Sequence, residues 1–289
     1  ATYTASAMFL TGMAANPLIA EFALKQGHVE LTWMRWISGS IVPGVLSLII
    51  VPRVIKRLVP PAETEAATAR AGADAQLKAM GPTKRSERAL LVVMLCVMAG
   101  WVTSPLHGVH NTIVAMSGVS ALLLLRVITW EDLLSEGRAW DALIWFAPLL
   151  MMADALNEAG VIGVLSQGLF AHVSGLSWTV GLPVLVLAYM YLHYGFASMT
   201  AHVTALYPGF IAAALLMGPP PLVAAMSLAY FSSIDASLTH YGTGSAPIFF
   251  GGGYVSQGTW WRVGFIVSLV QVTLWLGVGM LWWKVLGWW

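Results

Sequence analysis

Cysteine is almost absent from these 289 residues: Cys96 stands alone inside an apolar run. A single thiol excludes a disulfide framework and a thiolate metal cluster, and leaves Cys96 a packing role. Charge is scarce too, with Asp, Glu, Lys and Arg together 9% of the chain against 58% apolar residues. A soluble domain of this length cannot hide that much apolar surface, so the composition points to an all-α polytopic membrane protein. The net charge of +1 identifies no partner, and nothing supports nucleic-acid binding. Also missing are a His-Glu-x-x-His zinc pair, a close aspartate-rich metal motif and a nucleophile elbow. Ser198 with His202 nearby is a weak hint of hydrolysis without an evident third partner. An intramembrane hydrolase is therefore the alternative of a different class. No charged amino-terminal region and no small-residue cleavage site precede the apolar helix that opens at Ala1, so a carboxy-terminal fragment is expected.

What charge there is sits unevenly. Arg53, Lys56, Arg57, Arg70, Lys78, Lys84, Arg85 and Arg88 crowd one polar stretch, which the positive-inside rule places in the cytoplasm. The chain divides around it. Residues 1–59 read as the end of a first repeat, 60–88 as a cytoplasmic linker, 89–177 as scaffold spans and interfacial segments, and 178–289 as a transport part. Spans near the ~20 residues that a bilayer core requires are expected at 36–51, 89–103, 111–127, 141–159 and 260–283. Pro52 and the basic cluster close the first of these. Thr129 to Trp140 is charged and amphipathic, as an interfacial segment would be. Val161 to Ser177 reads as a short helix along the outer interface.

The stretch YLHYGFASMTAHVTALY, Tyr191 to Tyr207, organises the rest. Its flanks are apolar, but its centre gathers Ser198, Thr200, His202 and Thr204. We read it as a re-entrant helical hairpin with Ser198, Met199 and Thr200 at the tip, a geometry tolerated only where freed backbone groups are buried in protein or face water. Helix ends meeting there would offer N–H groups and hydroxyls to an anion. Two broken helices are expected beside it, one at Thr11, Gly12, Asn16 and Pro17, the other at Gly242, Gly244 and Pro247, because glycine is permissive and proline removes a donor. Each is followed by a related motif, WISGSIV at 36–42 and WRVGFIV at 261–267. An odd number of crossings separates the copies, so they run in opposite directions. Inverted repeats with paired broken helices point to a secondary transporter with a site near the midplane.

SAMFLTGMAANPL (6–18), WDALIWFAPLLMMA (140–153), ASMTAHVTALYP (197–208) and LTHYGTGSAPIFFGGGYVSQGTWW (238–261) carry a further likeness. Over essentially the whole chain the sequence resembles the divalent anion to sodium symporter family. The likeness is greatest to its branch of 2-oxoglutarate/malate translocators and citrate/succinate antiporters. The resemblance implies two hairpins, each with a Ser-Asn-Thr signature that contacts substrate carboxylates, the first lying upstream of Ala1. Ser198 and Thr200 match the second signature. Met199 departs from it, and a thioether cannot donate as an Asn amide does. By the same resemblance Thr11 and Asn16, with Thr239, Gly242, Thr243 and Pro247, face the hairpin tips and complete the substrate site.

Sodium-coupled relatives hold their ion at such loops. Here His202 and His240 are the charge or coupling candidates, protonated imidazoles in place of sodium. The plain alternative for both is a neutral imidazole bonded to a backbone carbonyl, and for His193 and Asp235 a packing role is expected. The reading is an exchanger of dicarboxylates of the 2-oxoglutarate, malate and succinate type, working by alternating access, with sodium symport as the alternative. No cofactor or metal site is expected, sodium being the one coupling ion in question. The partners expected are a small dicarboxylate, the lipid bilayer and a second copy in a homodimer. The location expected is a bacterial inner membrane, ahead of a plastid inner membrane.

Overall fold

The computed structural model describes residues 2–60 and 63–289. Among these the regular backbone is helical throughout. The first helices are α1 (Thr2–Met8), α2 (Ala15–Gly27), α3 (Trp33–Leu58), α4 (Glu63–Met80), α5 (Arg85–Val102), α6 (Ser104–His107), α7 (Asn111–Leu124) and α8 (Trp130–Ser135). Then come α9 (Gly137–Glu158), α10 (Val161–Ala171), α11 (Trp178–Leu192), α12 (Met199–Leu216), α13 (Pro221–Ile234), α14 (Ala246–Gly251), α15 (Gln257–Val272) and α16 (Met280–Val285). Helix is the form that lets an apolar chain satisfy its own N–H and C=O groups without water.

The chain gathers into two compact units, Ala1–Leu58 with Ile144–Trp289, and Val59–Leu143. Within the second unit α5 and α7 pair closely. Val114 covers Gly100 and Val97 covers Gly118, so small residues let the helices approach. α8 opens with a reciprocal cap: the Thr129 hydroxyl accepts from Asp132 N–H at 3.1 Å, and the Asp132 carboxylate accepts from Thr129 N–H at 2.8 Å. Those bonds hold the Asp132 carboxyl below its ordinary 3.8, so the cap is present above that value and is lost as pH falls through the lowered one.

The first unit is built around α13, where every residue from Val223 to Ile234 is buried. A phenol or indole in such a core needs a polar partner. Tyr230 donates to the Trp36 carbonyl at 2.7 Å and Tyr207 to the Ala225 carbonyl at 3.0 Å, while Tyr189 pairs with the Ser232 hydroxyl at 2.8 Å. Trp282 and Trp283 donate to the carbonyls of Ser38 and Gly39, tying the carboxy-terminal helix to α3.

Three of the described helices are long and apolar enough to cross a membrane: Trp33–Leu58, Met199–Leu216 and Gln257–Val285. α3 does not stop at Pro52 as expected from its sequence but continues to Leu58. Proline removes one donor, and in the turn it disturbs, the Arg53 guanidinium donates to the Ile49 carbonyl at 2.7 Å. The last helix widens into a π segment at Thr273–Gly279, which no periodicity announced. There the Trp275 indole is buried and donates to Ser47 Oγ and Gln271 Oε1. α10 was expected to lie along an interface. It packs on α12 with Leu165 over Gly209, burying Ile162 and Ser166, because its apolar face finds a groove where Gly209 has no side chain. α11 and α13 both end in 3₁₀ turns, His193–Gly195 and Asp235–Ser237, that stop them part-way.

Two glycines separate tight packing from open space. A Cβ at Gly264 would overlap the Ser237 carbonyl oxygen, whereas one at Gly163 would meet nothing within 4 Å. Gly264→Ala should destabilise the detergent-solubilised full-length protein by about 1–3 kcal/mol. Gly163→Ala should be neutral or stabilising by up to ~1 kcal/mol. Equal thermal unfolding midpoints for the two variants would refute this packing.

Candidate functional site

The first break lies between α1 and α2, where a helix ends inside the unit and leaves its last carbonyls without helical partners. Each of them is met. Asn16, fully buried, donates through Nδ2 to the carbonyls of Ser6 and Phe9, both at 3.0 Å. The Trp36 indole donates to the Ala7 carbonyl at 2.8 Å and the Ser40 hydroxyl to the Met8 carbonyl at 2.8 Å. Gly12 N–H also reaches Phe9 O at 2.8 Å.

The stretch expected to form a hairpin tip lies between α11 and α12. Ser198 is extended and exposed, caps α12 by accepting from Ala201 N–H at 3.4 Å, and Thr200 is half-buried beside it. Met199 turns inward and is buried. One turn on, His202 is fully buried under Tyr189, with ring centroids 4.4 Å apart. Where α11 tightens into its 3₁₀ turn, the cap N–H groups bond the Met190 and Tyr191 carbonyls, one and two residues past Tyr189. His202 Nε2 lies 3.1 Å from the Tyr189 carbonyl oxygen.

The second break runs from 238 to 245, between the turn after α13 and α14. Thr239 Oγ1 accepts from Gly242 N–H at 2.8 Å, and Thr243 Oγ1 accepts from Ala246 N–H at 3.1 Å. A hydroxyl that accepts still has its proton to donate. Tyr3 reaches Thr243 at 3.4 Å and Ser233 reaches Met13 sulfur at 3.8 Å, so α1 and the first break touch the second break and α13. Pro247 is exposed in the first turn of α14.

Tip and second break meet at three ionisable side chains, His193, His202 and Asp235, all at 0% exposure. Asp235 Oδ2 is 3.0 Å from His202 Nδ1 and 3.8 Å from His193 Nδ1. On its far side His193 Nε2 rests against Gly242, where a Cβ would collide with it and with Thr239 Oγ1. The missing side chain at 242 is thus what lets the His193 imidazole touch the broken segment.

Residues 1–289 match the family described as the sodium:sulfate symporter transmembrane region. The chain belongs to that family. It is 49% identical over 284 residues, 98% of its length, to YflS of Bacillus subtilis (strain 168), whose name proposes malate transport. It is 42% identical over 286 residues, also 98% of its length, to dicarboxylate transporter 1, chloroplastic, of Arabidopsis thaliana. With the L-tartrate/succinate antiporter of Escherichia coli (strain K12) it shares 34% over 278 residues, 96% of its length. The chain spans little more than half of these curated relatives: 59%, 51% and 57% of their lengths.

Within this family member the residues singled out in the sequence take different positions. Ser198, Thr200, Thr239, Gly242 and Thr243 line the tip and the second break, and Thr11 is exposed at the first. Both Nδ2 hydrogens of Asn16 are committed to carbonyls, leaving only Oδ1, an acceptor, for which an ionised carboxylate has no proton. His240 does not join His202. Its Nδ1 accepts from the Trp261 indole at 3.1 Å, within a cluster of Tyr241, Phe250 and Trp261. Indole only donates, so His240 Nδ1 is an unprotonated acceptor and the ring is not an imidazolium here. His193 and Asp235, expected to be packing residues, stand at the centre of the cluster. Their signal was present: an ionisable group in an apolar stretch is a functional candidate by default. The Asp235–His202 pair also supplies the third partner that a hydrolytic triad would need, yet His202 Nε2 is turned to the Tyr189 carbonyl and not to Ser198.

If Asn16 serves as a donor to the break, Asn16→Ala should destabilise by about 1–3 kcal/mol. Asn16→Asp should cost more, since a carboxylate would face two carbonyls. Thermal unfolding of both variants decides this, and an Asp variant more stable than the Ala variant would assign Oδ1 to a cation instead.

Proposed function

We propose that the full-length protein exchanges dicarboxylates of the malate, 2-oxoglutarate and succinate type across a bacterial inner membrane, as a homodimer. The observation that carries this reading is that a helix–turn–helix tip and one interrupted helix meet at a polar cluster inside an apolar unit, with a second interrupted helix touching the first. That is the architecture of a midplane site in a secondary transporter. The names of the relatives support the substrate class, two of them by transport of malate or dicarboxylates and one by antiport of tartrate and succinate.

In this reading the stretch from Tyr191 to Tyr207 is the re-entrant hairpin, and Ser198 and Thr200 donate hydroxyl protons to one substrate carboxylate. Thr239 and Thr243 donate from the second break, where Gly242 lets the chain approach closely and Pro247 starts the next helix. Thr11 lies at the open side of the first break, and Asn16 positions that break. The Trp36 and Trp261 indoles support the inverted repeat: each occupies the same place in its motif, and each donates to its own broken helix, at Ala7 and at His240. Hairpin and broken helices move as one body against scaffold spans. His202, with Asp235 against it, stays the coupling candidate beside the tip, while His240, an acceptor here, serves packing. Hydrolysis is disfavoured because His202 gives Ser198 no base.

The test is uptake of labelled malate or 2-oxoglutarate by the full-length protein in liposomes, with and without internal dicarboxylate, at zero and high sodium. Exchange predicts uptake that needs internal dicarboxylate and ignores sodium. Sodium-dependent uptake into empty vesicles would make the protein a symporter. Ser198→Ala with Thr200→Ala should raise the KM for dicarboxylate at least ~10-fold, two charge-assisted hydrogen bonds being lost. An unchanged KM would remove the tip from the site.

A further inference from the structure

We infer that one proton is bound between His202 Nδ1 and Asp235 Oδ2, and that its loss shuts exchange at alkaline pH. The transport part of this inference rests on the dicarboxylate reading above, whereas the proton itself does not. The proton follows from hydrogen-bond accounting. The Tyr189 carbonyl can only accept, so His202 Nε2, 3.1 Å away, carries a hydrogen. A neutral His202 would then present the lone pair of Nδ1 to Asp235 Oδ2 at 3.0 Å. That separation is a hydrogen-bond length, and an ionised carboxylate opposite a bare nitrogen would be two acceptors in repulsion. One more proton resolves it, drawn on Nδ1 as an imidazolium or on Oδ2 as a carboxylic acid. The pair is electrically neutral in either drawing.

The surroundings offer no substitute. Among the described residues neither Asp235 oxygen has a hydrogen-bond donor elsewhere, and neither nitrogen of His193 has a hydrogen-bond partner. Among the described residues the ion-pair partners of Asp235 are His202 and, at 3.8 Å, His193. α11 contributes Tyr189, whose phenol is bonded to Ser232, and α12 contributes Tyr207, whose phenol donates to Ala225. The second break contributes Thr239 and Gly242, neither of them charged. From α2, Lys25 and Glu21 are paired with each other, and Lys25 also holds Asp154 at 2.8 Å. Among the described residues His193 is therefore the one further base in reach of the proton.

A metal ion fits less well than a proton. Zinc bonds of ~2.0–2.1 Å in a tetrahedral site set ligand atoms roughly 3.3 Å apart. The three candidate atoms here lie within 4.8 Å of one another, and His193 Nδ1 is 3.8 Å from Asp235 Oδ2, so the cluster would have to contract. The proton needs no movement. Once it leaves, a carboxylate buried in the core carries an uncompensated charge, and a like charge disfavours a dianion at the tip, where Thr200 is two residues from His202 in the chain. The same loss sets two acceptors against each other between α12 and the turn after α13. Binding and closure are thereby opposed together.

The experiment measures exchange by the full-length protein in liposomes at equal internal and external pH from about 5.5 to 9.5, for the wild type and Asp235→Asn. The wild-type rate should fall about tenfold per pH unit beyond its midpoint, as loss of one proton requires. An Asn amide donates to His202 Nδ1 with no titratable proton. Whatever its rate at acid pH, the variant should lack the alkaline limb. A flat wild-type profile, or the same limb in the variant, overturns the regulation. Nitrogen-15 spectra of the histidines and infrared spectra of the unliganded wild-type protein give an arm independent of transport and of variant folding. A doubly protonated histidine or a carboxylic acid band near neutral pH is expected. If every histidine carries a single proton and no acid band is seen, the bound proton is overturned. Stoichiometric zinc in the purified protein, with loss of the limb on chelation, overturns it in favour of a metal. If no dicarboxylate is exchanged at any pH while the spectra show the proton, the transport reading fails and the proton site stands.

Discussion

A helix that stops inside an apolar body must find partners for the carbonyls or amides it leaves open, since no water is at hand to take them. In this protein that constraint governs the sequence around every interruption. The end of α1 is closed by an amide, an indole and a hydroxyl from Asn16, Trp36 and Ser40, which come from two other helices. The start of α12 is closed by Ser198, and the second break by Thr239 and Thr243. Remove these groups and the helices would be driven either to run on or to unravel. The interruptions persist because the polar residues that look out of place in apolar stretches are the ones that complete them.

The same residues give the candidate site its character. Hydroxyls that accept from the backbone keep a proton to donate, so capping and anion binding are compatible in one side chain. An amide with both hydrogens spent, like that of Asn16, is not available for an anion. Two histidines that look alike in sequence are separated by the same accounting. His240 faces an indole donor and must accept, whereas His202 faces a carbonyl on one side and a carboxylate on the other. Only the second arrangement draws in an extra proton.

The helix breaks were legible in the chain because Gly, Pro and Asn interrupt apolar runs at 11–17 and 242–247, and the structure interrupts its helices at 9–14 and 238–245. The polar centre of the stretch between α11 and α12 was legible for a related reason: hydroxyls and a histidine at 198–204 have no place on a lipid-facing helix. The run of α3 through Pro52 and the π segment at 273–279 were not legible. Each is accompanied by a side-chain contact, the Arg53 guanidinium on the Ile49 carbonyl in one case and the buried Trp275 indole on Ser47 Oγ and Gln271 Oε1 in the other, and no residue type by itself announces such a contact. The packing of α10 on α12 was hidden as well, because Leu165 meets Gly209 only once the fold has brought them together.

By itself the sequence determined that this is a helical membrane protein, where its helices break, and which family its motifs belong to. Those properties follow from composition, from local backbone preference and from residues close in the chain. Only the tertiary structure decided which ionisable groups meet. Asp235 lies more than thirty residues from His202 in sequence and 3.0 Å from it in space, and His240, nearer in sequence to Asp235, is turned into an aromatic cluster. The reason is physical: a buried charge is tolerated only beside its counter-charge, and that neighbour is chosen by how α11, α12 and α13 pack, which no local pattern encodes.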